Sequence, residues 1–307
     1  MTLLYYYQAY SLPIVSELEF PEFLPAVGDA AASGEPPVTI CYGAVPTELA
    51  HPTGRGVLYQ ASANQFLLKM DGVARYLVRN GHEIVVEPAA GSLASDVRVF
   101  LLGSCLGALL HQRGVLVLHA SGIGGSQGAF LFTGPSGIGK STLLGELLRR
   151  GHKMLVDDVC AVTPDSAGYP VVQPAYPRTR LWADSASKLT VETAGLDRTR
   201  PDMEKYERQI PAQFWDQPAP LRRIYHLATT NQDELRLAPL PRIQTFSAVL
   251  HNTYRHVFLD GLEMRQSHFD LVAAVASQVG VTRVVRPSGV FKLVELADLI
   301  EQDMGAL

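Results

Sequence analysis

The chain has 307 residues, 47% of them hydrophobic and 18% charged, and a net charge of −4. That length accommodates about two domains with a sizeable core, and the composition excludes a disordered chain. Acidic and basic residues are mixed, with no basic block or basic–aromatic stripe, which excludes a nucleic-acid binder whose affinity comes from neutralising phosphates.

The N-terminus, MTLLYYYQAY, lacks the basic start and apolar run of a signal peptide. Short segments such as LLYYYQAY, VTICY, QFLLKM, ARYLVRN and HEIVVEP follow, separated by Gly, Pro and Asn. They predict a β-rich N-terminal domain over residues 1–92, able to present a sheet edge to a substrate. QFLLKM and ARYLVRN, joined by Asp71-Gly72, predict a hairpin. Leu93 to Arg113 predicts a helix capped by Ser92 and ended by Gly114. Its apolar run, Val99 to Leu110, is too short to span a bilayer and reads as a buried helix, so no membrane partner is expected.

Residues 93–307 then predict a second domain, an α/β core. Strand VLVLHA leads through the turn GIGGSQG to strand AFLFTG, followed by a helix over STLLGELLRR. Strand HKMLV then runs into Asp157-Asp158. Strand RRIYHLAT, helices around IQTFSAVL and HFDLVAAVASQV, strand VTRVVRP and a last helix VFKLVELADLI complete the chain. The three cysteines, Cys41, Cys105 and Cys160, are far apart without a CxxC pair, which fits a reduced, cytoplasmic protein and supplies no zinc site.

The stretch GPSGIGKST, Gly134 to Thr142, satisfies the P-loop pattern GxxxxGK[ST] between a strand and a helix. The loop Gly134, Pro135, Ser136, Gly137, Ile138 and Gly139 can curl around phosphates and offer its backbone N–H groups, of which Pro135 has none, because glycines leave room for that approach. Lys140 is expected to reach the β- and γ-phosphates, and the hydroxyl of Ser141 to meet Mg²⁺. The helix opening at Ser141-Thr142 turns its positive end toward the anion. ATP or GTP binding follows, with ATP and Mg²⁺ as the expected cofactors.

Asp157 and Asp158 come seventeen and eighteen residues after Lys140, after one helix, one short turn and one short strand. They are expected at the end of that strand, beside the phosphate turn, facing different directions. One can then serve the metal shell while the other approaches an incoming hydroxyl. The alternative is that one of Asp157 and Asp158 only organises Mg²⁺ in an ATPase or GTPase and the second is a surface residue. His119 ends VLVLHA, where a lone histidine is usually structural.

The segment from LHASGIGG through GPSGIGKST to LVDDVCAV resembles the nucleotide-binding core of the bacterial HPr serine kinases. That family has a His twenty-one residues before the P-loop Lys and a catalytic Asp eighteen after it; His119, Lys140 and Asp158 occupy those places. The resemblance implies a P-loop fold of the HPr kinase and phosphoenolpyruvate-carboxykinase type. It also implies that Asp158 accepts a serine proton and that Ser141 touches Mg²⁺. In the mechanism expected from these residues Lys140 offsets charge moving to the leaving group, His119 orients Asp158 or a phosphate oxygen, and Asp157 supports the metal through water. The family's glycine-rich acidic signature after this strand is not recognisable; PAYPRTRLWADSASKL stands in its place.

The wording PxYPRxRLW, EKYERQIP, NTYR at Asn252 to Arg255 and the start YxxYxL are similar to HPr-kinase-like proteins of lasso-peptide gene clusters. That similarity implies a kinase acting on the C-terminal serine of a lasso-peptide precursor. An HPr-type carrier protein kinase and a non-catalytic ATP switch remain the alternatives, and homo-oligomerisation is left open. A peptide acceptor ending in a carboxylate needs a nearby cation. Arg178, Arg180, Lys205, Arg208 and Arg255 are candidates, although DRTRPDMEKYER is mixed in charge as a solvated segment would be.

Overall fold

The computed structural model describes residues 3–26, 36–182, 205–289 and 292–306, with side chains left undescribed at 180–182 and 205. The chain is mixed α/β and divides into two compact units. The first comprises Met1–Val117 and Tyr254–Leu271, the second Leu118–Thr253 and Val272–Leu307.

In the first unit nine strands form one sheet: β1 Tyr5–Ala9, β2 Leu12–Ser16, β3 Leu24–Pro25, β4 Val38–Tyr42, β5 Gly54–Arg55, β6 Tyr59–Ser62, β7 Gln65–Met70, β8 Ala74–Arg79 and β9 Glu83–Pro88. Their order is β3-β1-β2-β4-β9-β8-β7-β6-β5. The β7–β8 hairpin turns at Asp71-Gly72, where Gly72 has φ +72. Side chains alternate across the sheet. Leu67, Leu77 and Val85 stand in register on one face, buried with Val45 and Leu49. Phe66, Val78 and Ile84 form the opposite row and are also fully buried.

The helical segment after residue 93, just past the expected domain boundary, packs in this first unit. It consists of α1 Ala94–Phe100, a π turn Leu101–Cys105 and α2 Leu106–Gln112. The Tyr76 hydroxyl donates to the Val97 carbonyl at 3.1 Å. Leu93, not Ser92, occupies the N-cap, and no side chain caps the helix. Ser92 instead has its N–H on the Ala89 carbonyl, which makes it part of the preceding turn. Gly103 and Gly107 leave room for the Tyr254 ring: a Cβ at Gly107 would lie 2.9 Å from it. Taken together, Ala94–Gln112 is long and apolar enough to cross a membrane, but 67% of its apolar window is buried inside the protein.

The second unit holds a seven-stranded sheet of β10 Leu116–Gly125, β11 Gly128–Thr133, β12 Lys153–Pro164, β13 Pro170–Val172, β16 Ala219–Thr230, β17 Arg236–Pro239 and β18 Gly280–Pro287. A separate pair is formed by β14 Arg178–Trp182 and β15 Lys205–Gln209. GIGGSQG makes the β10–β11 hairpin, with GIGG inside the strand and the reversal at Ser126-Gln127. Parallel pairing of β11 with β16, and of β16 with β18, sets Thr133, His226 and Arg283 in one cross-strand row.

The helices of this unit are α3 Lys140–Arg149, α4 Arg242–His251 and α6 Leu293–Gly305. Helix α5, Arg265–Gln278, begins in the first unit and ends in the second. Leu143, Leu144, Leu147 and Leu148 form the buried face of α3. Arg150 at its end bonds Glu146, Asp298 and Glu301, which fixes α3 against α6.

Candidate functional site

The glycine turn lies between the end of β11 at Thr133 and the start of α3 at Lys140. Gly134, Gly137 and Gly139 have φ of +134, +79 and +107, conformations that L side chains rarely adopt. At Gly134 space forbids substitution as well, since a Cβ would stand 2.8 Å from the Leu227 carbonyl oxygen. Pro135, Ser136 and Gly137 are exposed at the crown, Ile138, Gly139 and Ser141 are half-buried, and Thr142 is buried.

Lys140 is only 6% exposed; its Nζ donates to the Gly134 carbonyl at 2.8 Å and the Pro135 carbonyl at 3.2 Å. The ammonium is therefore held inside the turn, where phosphate oxygens would compete for it. The turn is braced from two distant places. Asn252 Oδ1 accepts the Gly134 N–H at 2.8 Å. Arg286, on β18, donates from Nη2 to the Ile138 carbonyl at 2.7 Å. Burial lowers the pKa of Arg286.

Asp157 and Asp158 do not end their strand, as the spacing suggested. β12 continues to Pro164, and the carboxylates occupy its middle. The run VCAV after them is apolar and fully buried, so it extends the strand into the core. A local distortion separates the pair: Asp158 has φ +79, the left-handed region, inside a β-strand. Such a conformation costs about 1–3 kcal/mol and persists only where the surroundings enforce it.

Asp157 is buried and collects three hydroxyls. Its Oδ1 accepts from Ser121 at 2.7 Å and Ser141 at 3.0 Å, and its Oδ2 from Thr179 at 2.9 Å. A carboxylate with neighbouring hydroxyls is an all-oxygen donor set, the kind that suits Mg²⁺. Asp158 is about one quarter exposed, and His119 Nδ1 lies 3.2 Å from its Oδ1 and 3.1 Å from its main-chain oxygen. The main-chain N–H of His119 in turn donates to the Asn252 carbonyl at 2.7 Å. Asn252 therefore supports the turn with its side chain and His119 with its backbone.

The basic candidates disperse. Arg178 is buried; Nη1 contacts both Glu207 carboxylate oxygens at 2.9 Å, and the guanidinium lies 5.3 Å from the Tyr176 ring centroid. Arg208 is half-buried on β15, in register with Thr179. Arg255 belongs to the first unit, with its guanidinium 5.7 Å from the Tyr254 ring. The side chains of Arg180 and Lys205 lie outside the described residues, as do ADSASKL and Asp197–Glu204. Asn252, Arg286, Ser121, Thr179 and His226 escaped sequence reasoning. Asn252 left a signal as the first residue of NTYR, and Ser121 and Thr179 lie inside the quoted segments without being singled out.

No family model matches the chain, and no curated protein matches it in sequence. Among solved structures, the HPr(Ser) kinase/phosphatase from Coxiella burnetii is similar over 62% of this chain and 91% of its own, at 12% identity and a TM-score of 0.33. The geometry of the site, not a likeness of that degree, carries the functional reading.

Proposed function

We propose that the chain is an ATP-dependent serine kinase, and that the C-terminal serine of a lasso-peptide precursor is its acceptor. The observation that supports this most is the different setting of two adjacent carboxylates. Asp157 is buried on the Ser141 hydroxyl at the head of α3, while Asp158 is turned out by its positive φ and held by His119.

In this reading the turn Gly134 to Gly139 wraps the triphosphate with its amides from Ser136 onward, and Lys140 leaves its two carbonyls to meet phosphate oxygens. Ser141 and Asp157 would hold Mg²⁺, which would supply charge compensation at the phosphates. The serine Oγ–P bond forms as the bond from the γ-phosphorus to the bridging oxygen breaks; ADP leaves, and Asp158 takes the serine proton. His119 positions Asp158. Phosphoryl transfer depends mostly on positioning and electrostatics, so a weak base held in place suffices.

The test is transfer of label from γ-labelled ATP to a precursor peptide with and without its terminal serine, with and without EDTA. Label that requires the serine and the metal supports the proposal. Hydrolysis indifferent to the acceptor would leave an ATP switch, and label on an HPr-type carrier protein alone would replace the acceptor.

A further inference from the structure

A cavity of about 200 Å³ opens between α4 and the β16–β18 strands of the second unit. Its polar lining is Arg283, His226, His251, Gln244 and Ser247, with Leu240 and Ala248 as the apolar part. No carboxylate lines it among the described residues. Arg283 is exposed, and among the described residues its side chain forms no hydrogen bond or ion pair. Sites for drug-sized ligands measure roughly 300–1,000 Å³, so this one admits an end group rather than a base with its sugar.

The hydrogen-bond pattern assigns the protons on its histidines. Asn252 Oδ1 accepts from Gly134, so its Nδ2 is the group that faces His226 Nδ1 at 3.4 Å. The Thr133 hydroxyl lies 3.2 Å from the same nitrogen. Nδ1 of His226 is thus the acceptor, and neutral His226 keeps its proton on Nε2. His251 Nδ1 donates to the Ser247 carbonyl at 2.7 Å.

We propose that this cavity is a subsite for a carboxylate of the acceptor peptide, recognised by Arg283 and backed by His226, and coupled to the phosphate turn through Asn252. That the carboxylate belongs to the acceptor rests on the kinase reading; the cavity and its cation do not. One guanidinium beside two imidazoles compensates one negative charge, which favours a carboxylate over a phosphate dianion. The coupling is short: His226 meets Asn252, and Asn252 holds the N–H of Gly134, the first residue of the turn.

His226 also senses occupancy. Burial first, then Arg283, Lys140 and His251, lower its pKa, so the empty cavity holds a neutral ring at pH 7. A carboxylate on Arg283 offsets part of that positive field and raises the His226 pKa. A nucleotide phosphate on Lys140 acts on the His226 pKa in the same direction.

The experiment uses the full chain with ¹⁵N-labelled histidine and glycine, titrated with acetyl-Gly-Gly-Ser bearing a free carboxylate, with its C-terminal amide, and with inorganic phosphate. The free acid is expected to shift the His226 and Gly134 signals saturably and raise the His226 pKa, whereas the amide binds at least tenfold more weakly. Arg283→Gln should weaken the acid at least tenfold, and Arg283→Lys should recover part of it, with unchanged melting temperature in both. Equal binding of acid and amide, or an Arg283→Gln variant that binds the acid as the parent does, overturns the subsite. Tighter binding of phosphate than of the acid overturns the carboxylate assignment. Label transfer is measured on the same samples. Transfer without carboxylate binding sinks the subsite alone, and carboxylate binding without transfer sinks the kinase reading alone.

Discussion

His119 meets Asp158 twice, through Nδ1 at 3.2 Å from the carboxylate Oδ1 and at 3.1 Å from the main-chain oxygen. One ring therefore holds both the side chain and the distorted backbone of the same residue. Any variant at either position acts on geometry and on chemistry together, and the substitution must be chosen to separate them.

Asp158→Asn is that choice. Asn tolerates the left-handed region about as well as Asp, so fold and ATP affinity should be kept while phosphoryl transfer falls at least about 100-fold, the worth of a positioned general base. Asp158→Ala should in addition lower stability by about 1–2 kcal/mol, since φ +79 is unfavourable for alanine. Thermal melts and single-turnover transfer on both variants separate the two effects. Equal transfer by Asp158→Asn and the parent would remove Asp158 from the mechanism.

Asn252→Ala leaves the Gly134 N–H without its side-chain acceptor. Loss of a buried partner costs about 1–3 kcal/mol, so ATP affinity measured by calorimetry should fall roughly 5- to 150-fold. Unchanged affinity would show that the brace is dispensable.

Gly134→Ala places a Cβ 2.8 Å from the Leu227 carbonyl oxygen in a backbone conformation that alanine avoids. Nucleotide binding should be lost and the melting temperature lowered. Gly137→Ala meets nothing within 4 Å but has φ +79, so it should weaken binding with less effect on the melt.

Much of this site is legible in the chain because its requirements are local. A glycine turn between an apolar strand and a helix needs only its own residues, and the Ser141–Asp157 contact follows from the length of one helix and one strand. Continuation of β12 past Asp158 is written in VCAV, but a twist at one residue leaves no periodic trace. Asn252 and Arg286 were not legible. They stand 118 and 148 residues from the turn atoms they hold, brought there by parallel strand pairing and the end of α4. Ser92 shows the limit of cap reading, since a residue with capping chemistry is used by the turn before the helix.

The first unit makes a prediction on pH. His111 is buried, its Nε2–H donates to the Tyr254 carbonyl at 2.9 Å, and burial pushes its pKa down to about 4 from 6.5. The unfolded chain therefore binds a proton near pH 6.5 that the folded chain takes up only near pH 4. Stability from this group is complete above pH 6.5 and is lost as pH falls toward 4, by up to about 3 kcal/mol. Urea unfolding at pH 7.0 and 4.5 should show that loss, reduced in His111→Gln. An identical pH dependence in the variant would assign the loss elsewhere.

Tyr254–Leu271 returns to the first unit after the second has begun, and Val272–Leu307 then completes the second. No single cut can therefore release either unit whole. A fragment ending at Val117 lacks the tyrosine whose ring occupies the room left by Gly103 and Gly107, and one starting at Leu118 carries an orphaned loop. During synthesis the amino-terminal sheet must wait for more than half the remaining polypeptide before its helix gains that aromatic plug, so proteolytic nicking between the two should release neither piece in native form.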